Sequence, residues 1–167
     1  MKLLKLLQEV ILPPNLKTLL GKLKDNGYVV LGAGDNGIAL QKGNQVLKLT
    51  TDVDEIEHAE KLLNHTFTSV IPIKKVERFD NNTGIIEMVD AEELTSAEKD
   101  MIAINGRKAE DFLVYDEELD QTLPKELKKF LVDLKDAYTA SGIDTDEIDW
   151  SPNNVMKYKE NFVIVDV

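Results

Sequence analysis

Three oxygen-bearing side chains near the C-terminal end are spaced as a set. Asp149 is followed five residues later by Asn154, and twelve residues after that Asp166 closes the apolar run Val163-Ile164-Val165. One carboxylate and a neutral amide oxygen are hard donors that suit Mg²⁺. A carboxylate placed beside them would orient an attacking hydroxyl and take its proton. Together they suit phosphoryl transfer, where positioning and charge neutralisation matter more than strong base catalysis. In that division of labour Asp149 serves the hydroxyl. Asn154 holds one Mg²⁺, and Asp166 holds metal against the β and γ phosphates. Any one of the three alone reads as a turn or helix cap; their order and company give them weight.

Upstream, Gly32-Ala33-Gly34-Asp35-Asn36-Gly37 fits G-x-G-x-x-G. Glycines let a backbone approach phosphates closely and adopt positive φ. Two functional readings compete. In a dinucleotide-binding unit Gly37 would open a helix, and an acidic residue about 20 positions on would take the ribose. Asp52 lies near that distance. In the other reading the glycines join two antiparallel strands that cover nucleotide phosphates. Ile38 to Gln41 reads as a strand and Lys42-Gly43-Asn44 as a turn, which favours the second. A Walker A loop is excluded, because no Gly-Lys-Ser/Thr occurs.

Lys48 ends the apolar stretch Val46-Leu47 and points to the same face as Val46. An ammonium there needs a partner, since burying it alone is costly.

The elements that must position these residues follow from periodicity. Leu3, Leu4, Leu7, Val10 and Ile11 recur at helical spacing and predict a helix that Pro13-Pro14 ends. A short helix follows over about Asn15 to Leu23. Strands are expected at Tyr28 to Leu31, Ile38 to Gln41 and Gln45 to Leu49. A helix is expected over Asp52 to Asn64, with Ile56, Ala59 and Leu62 on one side. Ile71 to Phe79 and Gly84 to Met88 form a hairpin about Asp80-Asn81-Asn82-Thr83. Leu127, Phe130, Leu131, Leu134, Ala137 and Tyr138 mark a strong amphipathic helix. Val155 to Tyr158 and Phe162 to Val165 make a last short hairpin.

Composition sets bounds. The 167 residues carry 31 acidic and 20 basic side chains, a formal charge of −11. That disfavours nucleic acid as a partner, which needs a basic footprint, and attraction to anionic lipid. Asp90 to Thr122 holds eleven acidic and three basic residues, and it predicts a sparse, mobile segment that favours basic partners. No cysteine is present, so disulfides and thiolate sites are out and a cytoplasmic location is expected. Gln8 and Glu9 break the N-terminal apolar run, which makes a signal peptide a poor reading. His58 and His65 read as surface or capping residues, with no zinc site around them.

With these residues in place, the chain from Gly32 to Asp166 resembles the protein-kinase-like superfamily. Asp149-Trp150-Ser151-Pro152-Asn153-Asn154 is similar to the D-L-H-P-G-N loop of aminoglycoside, choline and small atypical kinases. Ile85 to Val89 resembles the strand and hinge that meet adenine, so the resemblance implies backbone contacts from Glu87 and Val89. It implies ATP and Mg²⁺ as cofactors, with Gly32, Gly34 and Gly37 over the phosphates. It also implies that Lys48 binds the α and β phosphates and pairs with a helix glutamate. Glu55, Glu57 and Glu60 are the candidates. Glu60 is preferred because it follows Ile56 by four and precedes Leu63 by three.

The implied fold is α+β and bilobal. A helical extension occupies 1–27, an N-lobe with a five-stranded antiparallel sheet 28–89, and a minimal, mostly helical C-lobe 90–167. The short form is similar to small kinase-like proteins of bacteriophages. Three departures stand out: Glu147 replaces the loop histidine, Ser151 replaces the lysine of Ser/Thr kinases, and Val167 follows Asp166 where Phe-Gly is usual. No activation segment is matched. The expected activity is phosphotransfer to a protein. The competing expectation is a pseudokinase that recognises a partner without catalysis. The stripe of the Leu127 to Tyr138 helix and the strand Val163 to Val165 predict apolar surface that either the N-terminal helix with Leu3, Leu4, Leu7, Val10 and Ile11 or a second copy of the chain covers, and a homodimer or partner complex is favoured.

Overall fold

The computed structural model describes residues 12–148 and 150–166. The expected helix over Leu3 to Ile11, and Asp149, lie outside the described residues. The fold is α+β. It divides into two compact units. One takes in the chain up to Leu63 together with Ile73–Asp90. The other comprises Asn64–Pro72 and the chain from Ala91 onward. Among the described residues, no helix is long and apolar enough to cross a membrane.

The first unit is a five-stranded antiparallel sheet with a helix on each face. Helix α1 (Pro14–Asp25) starts on a proline, whose missing N–H costs nothing at that position, and ends with Lys22 and Lys24 against its dipole. Gly27 follows at φ +87°, where a side chain would be strained. Strands β1 (Val29–Gly34), β2 (Gly37–Lys42) and β3 (Gln45–Thr50) come next. Helix α2 (Val53–Leu62), β4 (Ile73–Arg78) and β5 (Gly84–Val89) complete the unit. The strand order is β1-β2-β3-β5-β4. On one face Leu12 and Leu16 pack with Ile38, Leu40 and Leu49 in a buried cluster that the rest of α1 borders through Leu19, Leu20 and Leu23. Each fully buried leucine there contributes about 2 kcal/mol. On the opposite face Ile56 of α2 lies over Gly84 so closely that a Cβ there would sit 3.0 Å from Ile56 Cδ1. The dinucleotide-binding alternative fails here: Gly37 opens a strand, and the sheet is antiparallel.

The second unit contains α3 (Ser96–Ile104), α4 (Gly106–Leu113), α5 (Lys125–Ala140) and the hairpin β6 (Val155–Tyr158) with β7 (Asn161–Ile164). Helices α3 and α4 run through the acidic stretch that sequence alone leaves unassigned. Thr95 and Glu98 form a reciprocal capping box at the start of α3. Leu94, Ile102, Ala109 and Leu113 are each at most 5% exposed and anchor the two helices. Arg107 pairs with Asp111 at 2.8 Å and Lys108 with Asp120 at 2.9 Å, which offsets part of the local charge. Asp120 is held down to about 2, chiefly by the Thr122 hydroxyl and then by Lys108.

Helix α5 buries the stripe that its sequence marks: Leu127, Phe130, Leu131, Leu134, Ala137 and Tyr138. Phe130 meets Phe162 of β7 edge-on, with centroids 6.0 Å apart. Phe162, Val163 and Ile164 are buried too. Of the surface expected to be exposed, the α5 stripe, Val163 and Ile164 are buried and Val165 is half-buried. Ser69–Ile71 runs parallel to the end of β7, with Ile71 N–H donating to Ile164 at 3.0 Å and Ile164 N–H to Ser69 at 2.9 Å.

Candidate functional site

In the first unit, the glycine motif forms a hairpin between β1 and β2, with Asp35 and Asn36 at its turn. The three glycines are not equivalent. A Cβ on Gly37 would stand 2.4 Å from the Leu49 carbonyl oxygen, so close packing of β2 on β3 requires glycine there. Gly32 and Gly34 have nothing within 4 Å of such a Cβ, and neither has the positive φ that demands glycine. The fold leaves their identity unexplained.

Asn36 fixes the turn. Its carbonyl accepts from Thr51 N–H at 2.7 Å, and its amide donates to Asp52 at 2.9 Å. Asp52 also caps α2, accepting from the N–H groups of Asp54 at 3.1 Å and Glu55 at 3.3 Å. Sequence reasoning missed Asn36 in this role. A short side-chain bond between a turn and a helix cap leaves no periodic trace. Asp52 thus serves as a cap and not as a ribose ligand.

Lys48 sits mid-strand in β3, flanked by Ala39 of β2 and Ile86 of β5. Its ammonium is ion-paired with the Glu55 carboxylate; the side chains are 20% and 7% exposed. This corrects the expected pairing with Glu60. The Asp52 cap sets Glu55 in the first turn of α2, next to the strand that carries Lys48. Glu60, further along the helix, is held by Arg78 of β4 in a two-pronged contact at 2.7 and 2.9 Å. The hydrogen bond from Arg78 keeps the Glu60 carboxyl below its usual range. Glu57 also turns to Arg78, at 4.0 Å. On β5, Glu87 lies opposite Leu47 of β3 and Lys75 of β4. Val89 lies opposite Gln45, one residue past the Ile73–Met88 pair that ends the β4 ladder.

In the second unit Asn154 and Asp166 flank the β6–β7 hairpin. A single 3₁₀ turn, Pro152–Asn154, precedes β6, with the Ser151 side chain accepting from Asn153 N–H at 3.3 Å. Trp150 is pinned by its indole N–H, which donates to the Gly106 carbonyl at 3.1 Å. The register Val155–Ile164 brings the two ends of the hairpin together. Val165 N–H donates to the Asn154 carbonyl at 2.9 Å, so Asn154 and Asp166 stand at the same open end, both half-buried. One amide oxygen and one carboxylate suit Mg²⁺, which keeps several ligand positions for water and phosphate. Among the described residues, no group of three or more histidine or carboxylate side chains could hold a metal by itself.

No protein-family model matches this chain, and no curated protein matches it. The site therefore rests on its own geometry.

A cavity of about 410 Å³ adjoins the same turn. Leu94, Ala103, Val155 and Met156 supply apolar lining, and Glu93 and Asn153 supply polar groups. Sequence reasoning did not single out Glu93, Leu94 or Met156. Nothing in their spacing joins residue 94 to residue 156; the bridge between Glu92 and Lys157 does, with both N–H···O bonds made, at 2.8 and 2.9 Å. The expected helix histidine His58 is buried in α2, which corrects its reading as a surface residue.

Proposed function

We propose that this chain is an ATP- and Mg²⁺-dependent phosphotransferase of the kinase-like type, with a hydroxyl of a protein as acceptor. The observation that carries the reading is the Lys48–Glu55 ion pair in mid-sheet. A lysine held there by a carboxylate from the helix between β3 and β4 suits the α and β phosphates of a nucleotide. Three further features support it. Gly32 and Gly34 are open backbone with no packing reason to be glycine. Asn154 and Asp166 share one hairpin end. The cavity beside them combines apolar lining from Leu94, Val155 and Met156 with polar groups from Glu93 and Asn153.

Bound Mg·ATP would supply the transferable phosphoryl group and the metal's charge. On this reading Lys48 binds phosphate, and Glu55 keeps its ammonium oriented and charged. Asn154 and Asp166 hold the metal. Asp149, on sequence alone, takes the acceptor's proton. Glu87 and Val89 would meet the base through their backbone.

The test is titration calorimetry with ATP, with and without Mg²⁺, followed by a phosphotransfer assay. Binding that weakens on chelation is expected. Lys48→Met should lower phosphotransfer at least about a hundredfold, the scale of a lost charge-stabilising group. It should also cost about 1–3 kcal/mol of stability, since it removes the ammonium that pairs with the buried Glu55 carboxylate. No binding at millimolar nucleotide would defeat the reading. Binding without transfer would favour a non-catalytic recognition protein, which Glu147 in place of the loop histidine already favours.

A further inference from the structure

A second cavity, of about 300 Å³, lies wholly within the second unit, away from the Asn154–Asp166 end of the hairpin in sequence. It is at the lower end of small-ligand pockets in size, so it suits one side chain better than a nucleotide. Four observations bear on what would enter it.

First, Ser69 lines it. This residue is 1% exposed, and its hydroxyl has no hydrogen-bond partner among the described residues. A buried hydroxyl left unpaired is costly, and an incoming donor would recover that cost.

Second, the turn at its rim is strained. Lys159 and Glu160 have φ of 48° and 65°, in the left-handed region that two-residue hairpin turns give to Asn and Gly. A non-glycine residue there is strained. The turn keeps a carboxylate at Glu160 all the same, and Glu160 lines the cavity.

Third, three carboxylates line the cavity (Glu126, Asp133 and Glu160) against two lysines (Lys129 and Lys157), and both lysines are ion-paired. Lys129 is ion-paired with Asp133, which also accepts from the Thr68 hydroxyl at 3.1 Å. Lys157 is ion-paired with Glu98, outside the cavity. Among the described residues, the Glu126 and Glu160 carboxylates have no such partner. An anion would meet lysines that are already engaged, and two carboxylates whose charge Lys157 offsets only at a distance.

Fourth, Phe130 and Phe162 line the same space, and the Lys157 ammonium already lies over the Phe162 ring, 5.9 Å from its centroid, so this lining accepts a cation. Aromatic faces and edges beside carboxylates favour a flat, weakly hydrated cation.

We propose that this cavity receives an arginine side chain of a partner polypeptide. The guanidinium bonds Glu126 and Glu160, donates one N–H to the Ser69 hydroxyl and lies against the phenylalanine rings. The chain's charge of −11 gives such a partner long-range attraction as well. The inference is independent of the phosphotransfer reading, since it uses none of that site's residues.

The experiment is an amide NMR titration of the full chain with capped Gly-Arg-Gly, Gly-citrulline-Gly and Gly-Lys-Gly peptides. The arginine peptide should shift Ser69 and the amides of Glu160 to Phe162. The citrulline peptide, which is uncharged, should bind at least tenfold more weakly, and added salt should weaken the arginine peptide. Glu126→Gln and Glu160→Gln should each reduce affinity about three- to tenfold. Ser69→Ala should reduce it about threefold with thermal stability unchanged or raised. Equal binding of the arginine and citrulline peptides, or shifts indifferent to both Gln variants, would overturn the proposal. Equal binding of the lysine peptide would overturn the guanidinium assignment. Glu160→Gly checks the strain directly: a higher melting temperature with lost binding is expected, and unchanged binding would count against the site.

Discussion

Two hairpins of this molecule depart from what their backbones ask, in opposite directions. The β1–β2 hairpin carries Gly32 and Gly34 where space is open and φ is ordinary. The β6–β7 hairpin carries Lys159 and Glu160 where φ is positive and glycine would be easier. In the first, side chains are absent although the fold would accept them. In the second, side chains are present although the fold resists them. Residues that the fold does not explain are where function is most usefully sought, and the two proposals attach to these two places.

The comparison is easiest to break at the first hairpin. Gly37→Ala should destabilise the protein by about 2–4 kcal/mol, the scale of forced overpacking, because its Cβ meets backbone that cannot yield. Gly32→Ala and Gly34→Ala should be neutral or stabilising by up to about 1 kcal/mol, while ATP affinity falls. Chemical denaturation and calorimetry on the three variants separate the cases. If all three destabilise alike, these glycines are structural and the phosphate reading loses a support.

At the second hairpin, replacing Lys159-Glu160 by Asn-Gly should raise stability by about 1–2 kcal/mol, the strain released by a turn sequence that suits the backbone. A thermal melt reads this. No gain would mean that the turn is not strained.

The smallest expected effect is in pH dependence. Glu98 answers Lys157 and closes the capping box, and it is pushed down to about 2, first by the Lys157 contact and then by the Thr95 backbone and hydroxyl. A carboxylate whose folded value lies below its unfolded one adds stability above the unfolded value, here near 4.5. That contribution is lost as pH falls toward 2. The stability difference between wild type and Glu98→Gln should therefore be flat above the ordinary carboxylate range and shrink in acid. A difference that is constant down to pH 2 would mean that the pair is not formed in solution.

The sheet and the helices α2 and α5 were legible because their apolar residues repeat at periods of two and of three to four. Helices α3 and α4 were not. Leu94, Ile102, Ala109 and Leu113 are too few and too widely spaced among acidic residues to show a stripe. Their caps and ion pairs, which carry little periodic signal, complete them. The lysine partner was misread for a related reason. Spacing along a helix places Glu60 beside the apolar stripe, but it cannot tell that β4 puts Arg78 within 2.7 Å of it. Glu55 was visible as a candidate; what selected it was the Asp52 cap, a contact that spacing does not encode. The Asn154–Asp166 proximity followed from the hairpin, whose two apolar runs and turn were readable.

The path of Asn64–Pro72 has a consequence for how this chain is made. The segment is synthesised between two pieces of the first unit, yet it belongs to the second, where Ser69 and Ile71 bond Ile164. On a ribosome, the sheet of the first unit has all its strands once Val89 has emerged. Ser69–Ile71 must then wait through the synthesis of α3, α4 and α5 for the last strand. No single cut of the chain yields both units whole, and a fragment beginning at Ala91 would lack the stretch that pairs with β7. Such long-range pairing slows folding. It also ties completion of the hairpin that carries Asn154 and Asp166 to a stretch of chain made long before it.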